Sequence, residues 1–141
     1  FPTNNEIRKT LEINFFIPYQ ITEALNIENI DIKKFIYISS FAAIKPRYKN
    51  FMYGYSKKLL ENSINSLNIH NFLFIRFGKI NTLMSKSHKT SIFDIEKNYG
   101  AEVINRYLVS KTGIVYPDLL TRVLGMIIKI TPNKLIKLLN L

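Results

Sequence analysis

Two tyrosine–lysine pairs with i, i+4 spacing stand in this chain, Tyr53 with Lys57 and Tyr107 with Lys111. On a helix that spacing puts both side chains on one face. A phenol beside an ammonium can act as an acid/base. Moving a tyrosine from its ordinary pKa of about 10 to neutrality takes about 4 kcal/mol. A cation about 4 Å away, at an effective dielectric of about 20, supplies an interaction of that size. Spacing alone selects neither pair, because eight Tyr and fifteen Lys among 141 residues produce roughly one such pair by chance.

Context separates them. Ser40 ends the apolar run "KKFIYISS" and lies 13 residues before Tyr53. A strand-end hydroxyl facing the same substrate oxygen would complete a site for moving a proton on or off an alcohol or carbonyl. No strand-ending serine precedes Tyr107, so that pair reads as helix surface.

The elements around these residues follow from periodicity. Apolar residues at Ile7, Leu11, Phe15, Ile17, Ile21 and Leu25 predict a long helix from Asn5 to Leu25, kinked where Pro18 removes a backbone donor. "KKFIYISS" lacks polar alternation and reads as a strand buried on both faces. "YGYSKKLLENSINSL" returns to helical spacing, and "HNFLFIRFG" is a second buried strand ending in glycine. Strand, helix, strand makes a βαβ unit, hence a parallel sheet with its crevice at the carboxyl ends of the strands. "KINTLMSKSHKTSIFDIEKN" reads as a loop with a short helix, "YGAEVINRYLVS" as helix and "TGIVYP" as a last short strand. Residues 118–141 read as two amphipathic helices, with Asp118 capping the first and Pro132 in the first turn of the second.

On these motifs the chain resembles the short-chain dehydrogenase/reductase family, which joins a strand-end serine to Tyr-x-x-x-Lys. Asn14, 26 residues before Ser40, resembles the helix asparagine that holds the family's proton-relay water. "RFGKINT" is similar to its Pro-Gly-x-Val/Ile-x-Thr turn, with Phe77 in place of the proline. The resemblance implies Tyr53 as acid/base, Ser40 orienting the substrate oxygen, and Lys57 tuning Tyr53 while holding the nicotinamide ribose of NAD or NADP. Gly78, Ile80 and Thr82 would line the nicotinamide end. "KNFMYGYSK", "NTLMS" and the closing segment are similar to family members that reduce a 2-keto group on polyprenyl-phosphate-linked pentofuranose, implying a small-molecule or lipid-linked carbonyl substrate. Relatives acting on nucleotide sugars place serine and tyrosine farther apart.

The resemblance implies an α/β fold, a partial Rossmann-like doubly wound parallel sheet. No glycine-rich turn occurs anywhere in the sequence, and that turn supplies the pyrophosphate's backbone donors. Residues 1–141 are therefore expected to form a single domain, the C-terminal part of such an enzyme without its first βαβ units, and inactive alone. The helices starting near Asn5 and Tyr53 resemble those the family packs between subunits, which leaves room for a homo-oligomer.

Composition bounds the rest. With 47% apolar residues and few Pro or Gly, a core is affordable. The absence of cysteine suits a reducing, cytoplasmic setting. "FPTNNEIRKT" carries no signal-peptide pattern, and no apolar run is long enough to span a bilayer. The charge of +10 comes without runs of more than two basic residues or a recognisable RNA- or DNA-binding pattern, so nucleic acid is not an expected partner. His70 and His88 have no partner at metal-ligand spacing, and Asp94 and Glu96 are expected to be solvated. The C-terminal helices combine apolar faces with Arg122, Lys129, Lys134 and Lys137. Such helices can lie peripherally on an anionic bilayer, cover the sheet or shape the substrate mouth. The competing function is a catalytically silent α/β module docking through this basic C-terminus on a membrane or protein partner.

Overall fold

The computed structural model describes residues 2–67, 69–82, 94–109 and 112–138. A small parallel sheet forms the centre. Strand β1 (Phe35–Ser40) pairs with β2 (Phe72–Phe77) along its whole length, from Phe35 opposite Phe72 to Ser40 opposite Phe77. On the other side of β2, strand β5 (Gly113–Val115) sets Leu73 opposite Gly113 and Ile75 opposite Val115. The order is β1-β2-β5, all parallel. Helix α3 (Phe51–Asn65) makes the first crossover and α4 (Lys97–Tyr107) lies in the second.

Side-chain alternation divides the core in two. Tyr37 and Phe74 point to one face and pack with Leu60 and Ile64 of α3. Leu73, Ile75 and Phe77 point to the other and pack with Val103 of α4 and Val115 of β5. Strand β2 is apolar toward both layers because helices cover both its faces. The expectation that β1 is equally buried needs correction: Ile38 is 42% exposed. Strand β1 is one edge of the described sheet, and α4 packs over β2 and β5 beside it.

The amino-terminal helix is not one kinked α-helix. It runs as α1 (Asn4–Leu11), a π-helical turn (Glu12–Phe16) and α2 (Ile17–Ile27). The Ile17 N–H reaches back five residues to the Glu12 carbonyl, and Pro18, which has no N–H to give, falls in the first turn of α2. Thr3 and Glu6 form a reciprocal capping box at the start of α1. The Thr22 and Tyr37 hydroxyls meet at 2.5 Å, tying α2 to β1.

Within segment 79–98, expected as a loop with a short helix, the described residues at its two ends pair with each other. Strand β3 (Ile80–Asn81) pairs in parallel with β4 (Ile95–Glu96), and α4 begins directly after β4. Residues 83–93, which include His88, lie outside the described residues, as does Lys111. Asp94 is not solvated: its side chain is 7% exposed and pairs with Lys79 at 2.9 Å. Glu96 is exposed and accepts from Asn81 Nδ2 at 2.8 Å. Helix α5 (Leu119–Ile130) starts at the expected Asp118 cap, which forms a capping box with Thr121. Thr131 closes α5, and α6 (Asn133–Leu138) follows Pro132.

Candidate active site

The parallel register puts the carboxyl ends of β1, β2 and β5 at one edge of the sheet. Ser40 is the last residue of β1, and its Oγ accepts from the Ala42 N–H at 3.2 Å, capping the short 3-10 turn Phe41–Ala43. That turn brings the chain round to α3, whose first turn carries Tyr53.

Gly54 decides how close α3 can come. A β-carbon there would lie 2.6 Å from the Ala42 carbonyl oxygen and 3.1 Å from Pro46 Cα. Only hydrogen fits, so helix and turn meet backbone to backbone and Tyr53, the adjacent residue, is drawn to the strand end. Burial is the larger influence on the Tyr53 phenol and holds its pKa above the ordinary value, although 38% of the residue stays open to solvent, while the neighbouring Ser40 side chain acts to lower it.

Lys57 sits one turn further along α3, with Nζ 5.9 Å from the centroid of the Tyr53 ring. The pair thus shares a helix face, as the spacing requires. Lys57 Nζ donates to the Ile38 carbonyl of β1 at 3.0 Å, a bond available because that carbonyl is on the edge of β1 that no described strand pairs. Burial lowers the Lys57 pKa, and the Glu61 carboxylate partly offsets this.

Asn14 lies in the π-helical turn, which packs on α3, and its Nδ2 donates to the Thr10 carbonyl within its own helix at 3.0 Å. Gly78 follows the end of β2; Ile80 packs against the α4-side core; Thr82 follows β3 and is exposed. Ser40, Tyr53 and Lys57 are therefore gathered at one edge, Asn14 belongs to the helix behind α3, and the residues after β2 leave from the same edge of the neighbouring strand.

A buried charge network beneath this site has no counterpart in the sequence reading. Glu61, 2% exposed, accepts from Ser39 Oγ at 2.6 Å and from Arg76 Nε at 2.9 Å, with Arg76 Nη2 on its second oxygen. Arg76 Nη1 donates to the Tyr116 hydroxyl at 3.0 Å, beyond β5. Burial opposes the Arg76 charge, yet the bonds to Glu61 and Tyr116 outweigh it and hold its pKa above the ordinary value. The network clamps α3, β1 and β2 together directly below Ser40 and Lys57. Its only sequence signals were a charge inside an apolar strand, Arg76 in "FLFIRF", and Glu61 at i, i+4 from Lys57.

Comparisons with family models, with curated proteins and with solved structures find no match to this chain.

Proposed function

We propose that this chain carries the proton-transfer centre of an NAD(P)-dependent oxidoreductase of the short-chain dehydrogenase/reductase type, built on part of a Rossmann-like sheet. The observation that carries this reading is the meeting of Ser40, at the carboxyl end of β1, with Tyr53, on the first turn of α3, with Lys57 one turn behind. The substrate is a carbonyl or secondary alcohol; a lipid-linked pentofuranose is the class suggested by the resemblance.

The residues present fit one end of the cofactor. Tyr53 and Lys57 offer donors for a nicotinamide ribose, and Gly78 and Thr82 border the adjoining strand end. The other end has no match, since the glycines at 54, 78, 100, 113 and 125 form no cluster that could cradle a pyrophosphate. A nicotinamide held at this edge would supply or accept the hydride. The protein's own part is the proton. In reduction, Ser40 holds the carbonyl oxygen by a hydrogen bond, and Tyr53 gives its hydroxyl proton to that oxygen. In oxidation the proton returns to Tyr53. A lysine freed from the Ile38 carbonyl would reach the ribose and approach the phenol.

The test is turnover of ketone and 2-keto-sugar substrates by the intact protein, with nicotinamide oxidation followed by absorbance. Tyr53→Phe should abolish turnover and leave cofactor affinity largely unchanged. Undiminished turnover in that variant would remove Tyr53 from its role.

A further inference from the structure

Helix α5 has two apolar faces, and the core uses one. Thr121 and Gly125 are buried, and Gly125 abuts Tyr116: a β-carbon on it would come within 2.7 Å of the Tyr116 ring. On the outer side Leu119, Leu120, Val123, Met126, Ile127 and Ile130 are 75%, 64%, 44%, 52%, 49% and 80% exposed. At about 100° per residue these six fall within an arc of roughly 120°. Arg122 and Lys129, both exposed, stand side by side along one border of that arc. Beyond them opens a cleft of about 790 Å³, also lined by Arg76, Arg106 and Asp118. No Asp or Glu occurs after Asp118, and Asp118 is engaged in capping the helix.

We propose that the outer face of α5 is an interfacial membrane-binding surface selective for anionic lipid. Six large apolar side chains presented to water are an exposed patch that calls for a cover, and a border where Arg122, Lys129, Arg76 and Arg106 outnumber the one carboxylate of the cleft, Asp118, favours an anionic cover. Among the described residues no helix is long and apolar enough to cross a membrane, so α5 lies along the bilayer with its apolar arc in the acyl boundary and Arg122 and Lys129 among the phosphates. A second copy of the chain fits less well. An antiparallel pairing of two α5 helices that aligned Arg122 of one with Lys129 of the other would set the cationic borders of the two copies against each other. The surface does not include Ser40, Tyr53 or Lys57, so this assignment stands or falls separately from the oxidoreductase reading.

The experiment is co-sedimentation of the full chain with phosphatidylcholine vesicles, with and without phosphatidylglycerol, alongside light scattering of the protein alone. The expected result is binding to the anionic vesicles, weakened by salt. Each of Arg122→Gln and Lys129→Gln should weaken it roughly fivefold. Ile130→Gln, at the most exposed apolar position, should weaken it in both low and high salt, with circular dichroism confirming that each variant is folded. Tyr53→Phe should sediment like the parent. Equal binding to both vesicle types, or none to either, overturns the proposal. So does a dimer in the absence of lipid that Ile130→Gln dissociates, which would assign the face to a second copy.

Discussion

A β-carbon on Gly54 would stand 2.6 Å from the carbonyl oxygen of Ala42, a separation that no packed side chain tolerates. The obstacle is backbone, not a side chain able to swing away, so Gly54→Ala must push α3 off the turn that follows β1. Helix propensity alone would favour alanine by about 1 kcal/mol, while overpacking costs typically 1–3 kcal/mol. The expected outcome is a net loss of stability in urea titration, with turnover falling further than stability because Tyr53 leaves Ser40. A Gly54→Ala protein as stable and active as the parent would show that the close approach is unimportant.

The Glu61–Arg76 pair is buried and bonded bidentately. Glu61→Gln keeps the shape, removes the charge and leaves the Arg76 guanidinium, on a side chain 15% exposed at the cleft, without its principal counter-charge. Breaking a buried pair from one side costs about 3–5 kcal/mol. For a chain of this size the midpoint of thermal unfolding should drop by on the order of 10 °C. Replacing both partners, Glu61→Leu with Arg76→Met, removes both charges together and should recover part of that loss. A double variant less stable than Glu61→Gln would mean that the network contributes through packing and not through charge.

Burial is the leading influence on Tyr53 and holds its pKa above the ordinary value, with Ser40 pulling it down. For the proposed proton transfer this fixes the direction of the pH dependence. Below a pH of about 10 the phenol keeps its proton, so carbonyl reduction, which consumes that proton, should be nearly independent of pH through neutrality. Alcohol oxidation needs the phenolate and should rise about tenfold per pH unit toward alkaline conditions. Rate profiles of the intact protein in both directions check this. A plateau of the oxidation rate near neutrality would instead mean that Lys57 leaves the Ile38 carbonyl and approaches the phenol in the working complex.

Much of this arrangement was legible in the sequence because it is local. Short continuous apolar runs locate β1 and β2, helical spacing locates α3 and α5, the Asp118 cap marks where α5 begins, and Ser40 at the end of an apolar run marks a strand end. What escaped is non-local. The β3–β4 ladder joins residues 80–81 to residues 95–96, too short a pairing for periodicity to register. The burial of Asp94 depends on Lys79 lying across that ladder. The π-helical turn before Pro18 is a choice among ways of accommodating a lost donor, and composition does not rank them. The destination of Lys57 Nζ was hidden for a related reason: spacing set its helix face but said nothing of the Ile38 carbonyl on the neighbouring strand.

The adjacent serines at the end of β1 give the sharpest test of that distinction, because a strand sends successive side chains to opposite faces. Ser39 is 4% exposed and its hydroxyl donates a hydrogen bond to Glu61, whereas Ser40 is half-buried at the strand end beside Tyr53. Ser39→Ala should cost about 1.5–3 kcal/mol of stability, the range for a hydrogen bond to a charged group, and should change kcat little once the protein is folded. Under the proposed reaction Ser40→Ala removes the donor to the substrate oxygen and should lower kcat by about 10²–10³-fold, while the lost cap of the Phe41–Ala43 turn costs only about 1 kcal/mol. Urea titration and steady-state kinetics on the two single variants separate the roles. If Ser39→Ala lost activity without stability while Ser40→Ala lost stability without activity, the face assignment of β1 would be reversed, and with it the position of the candidate site.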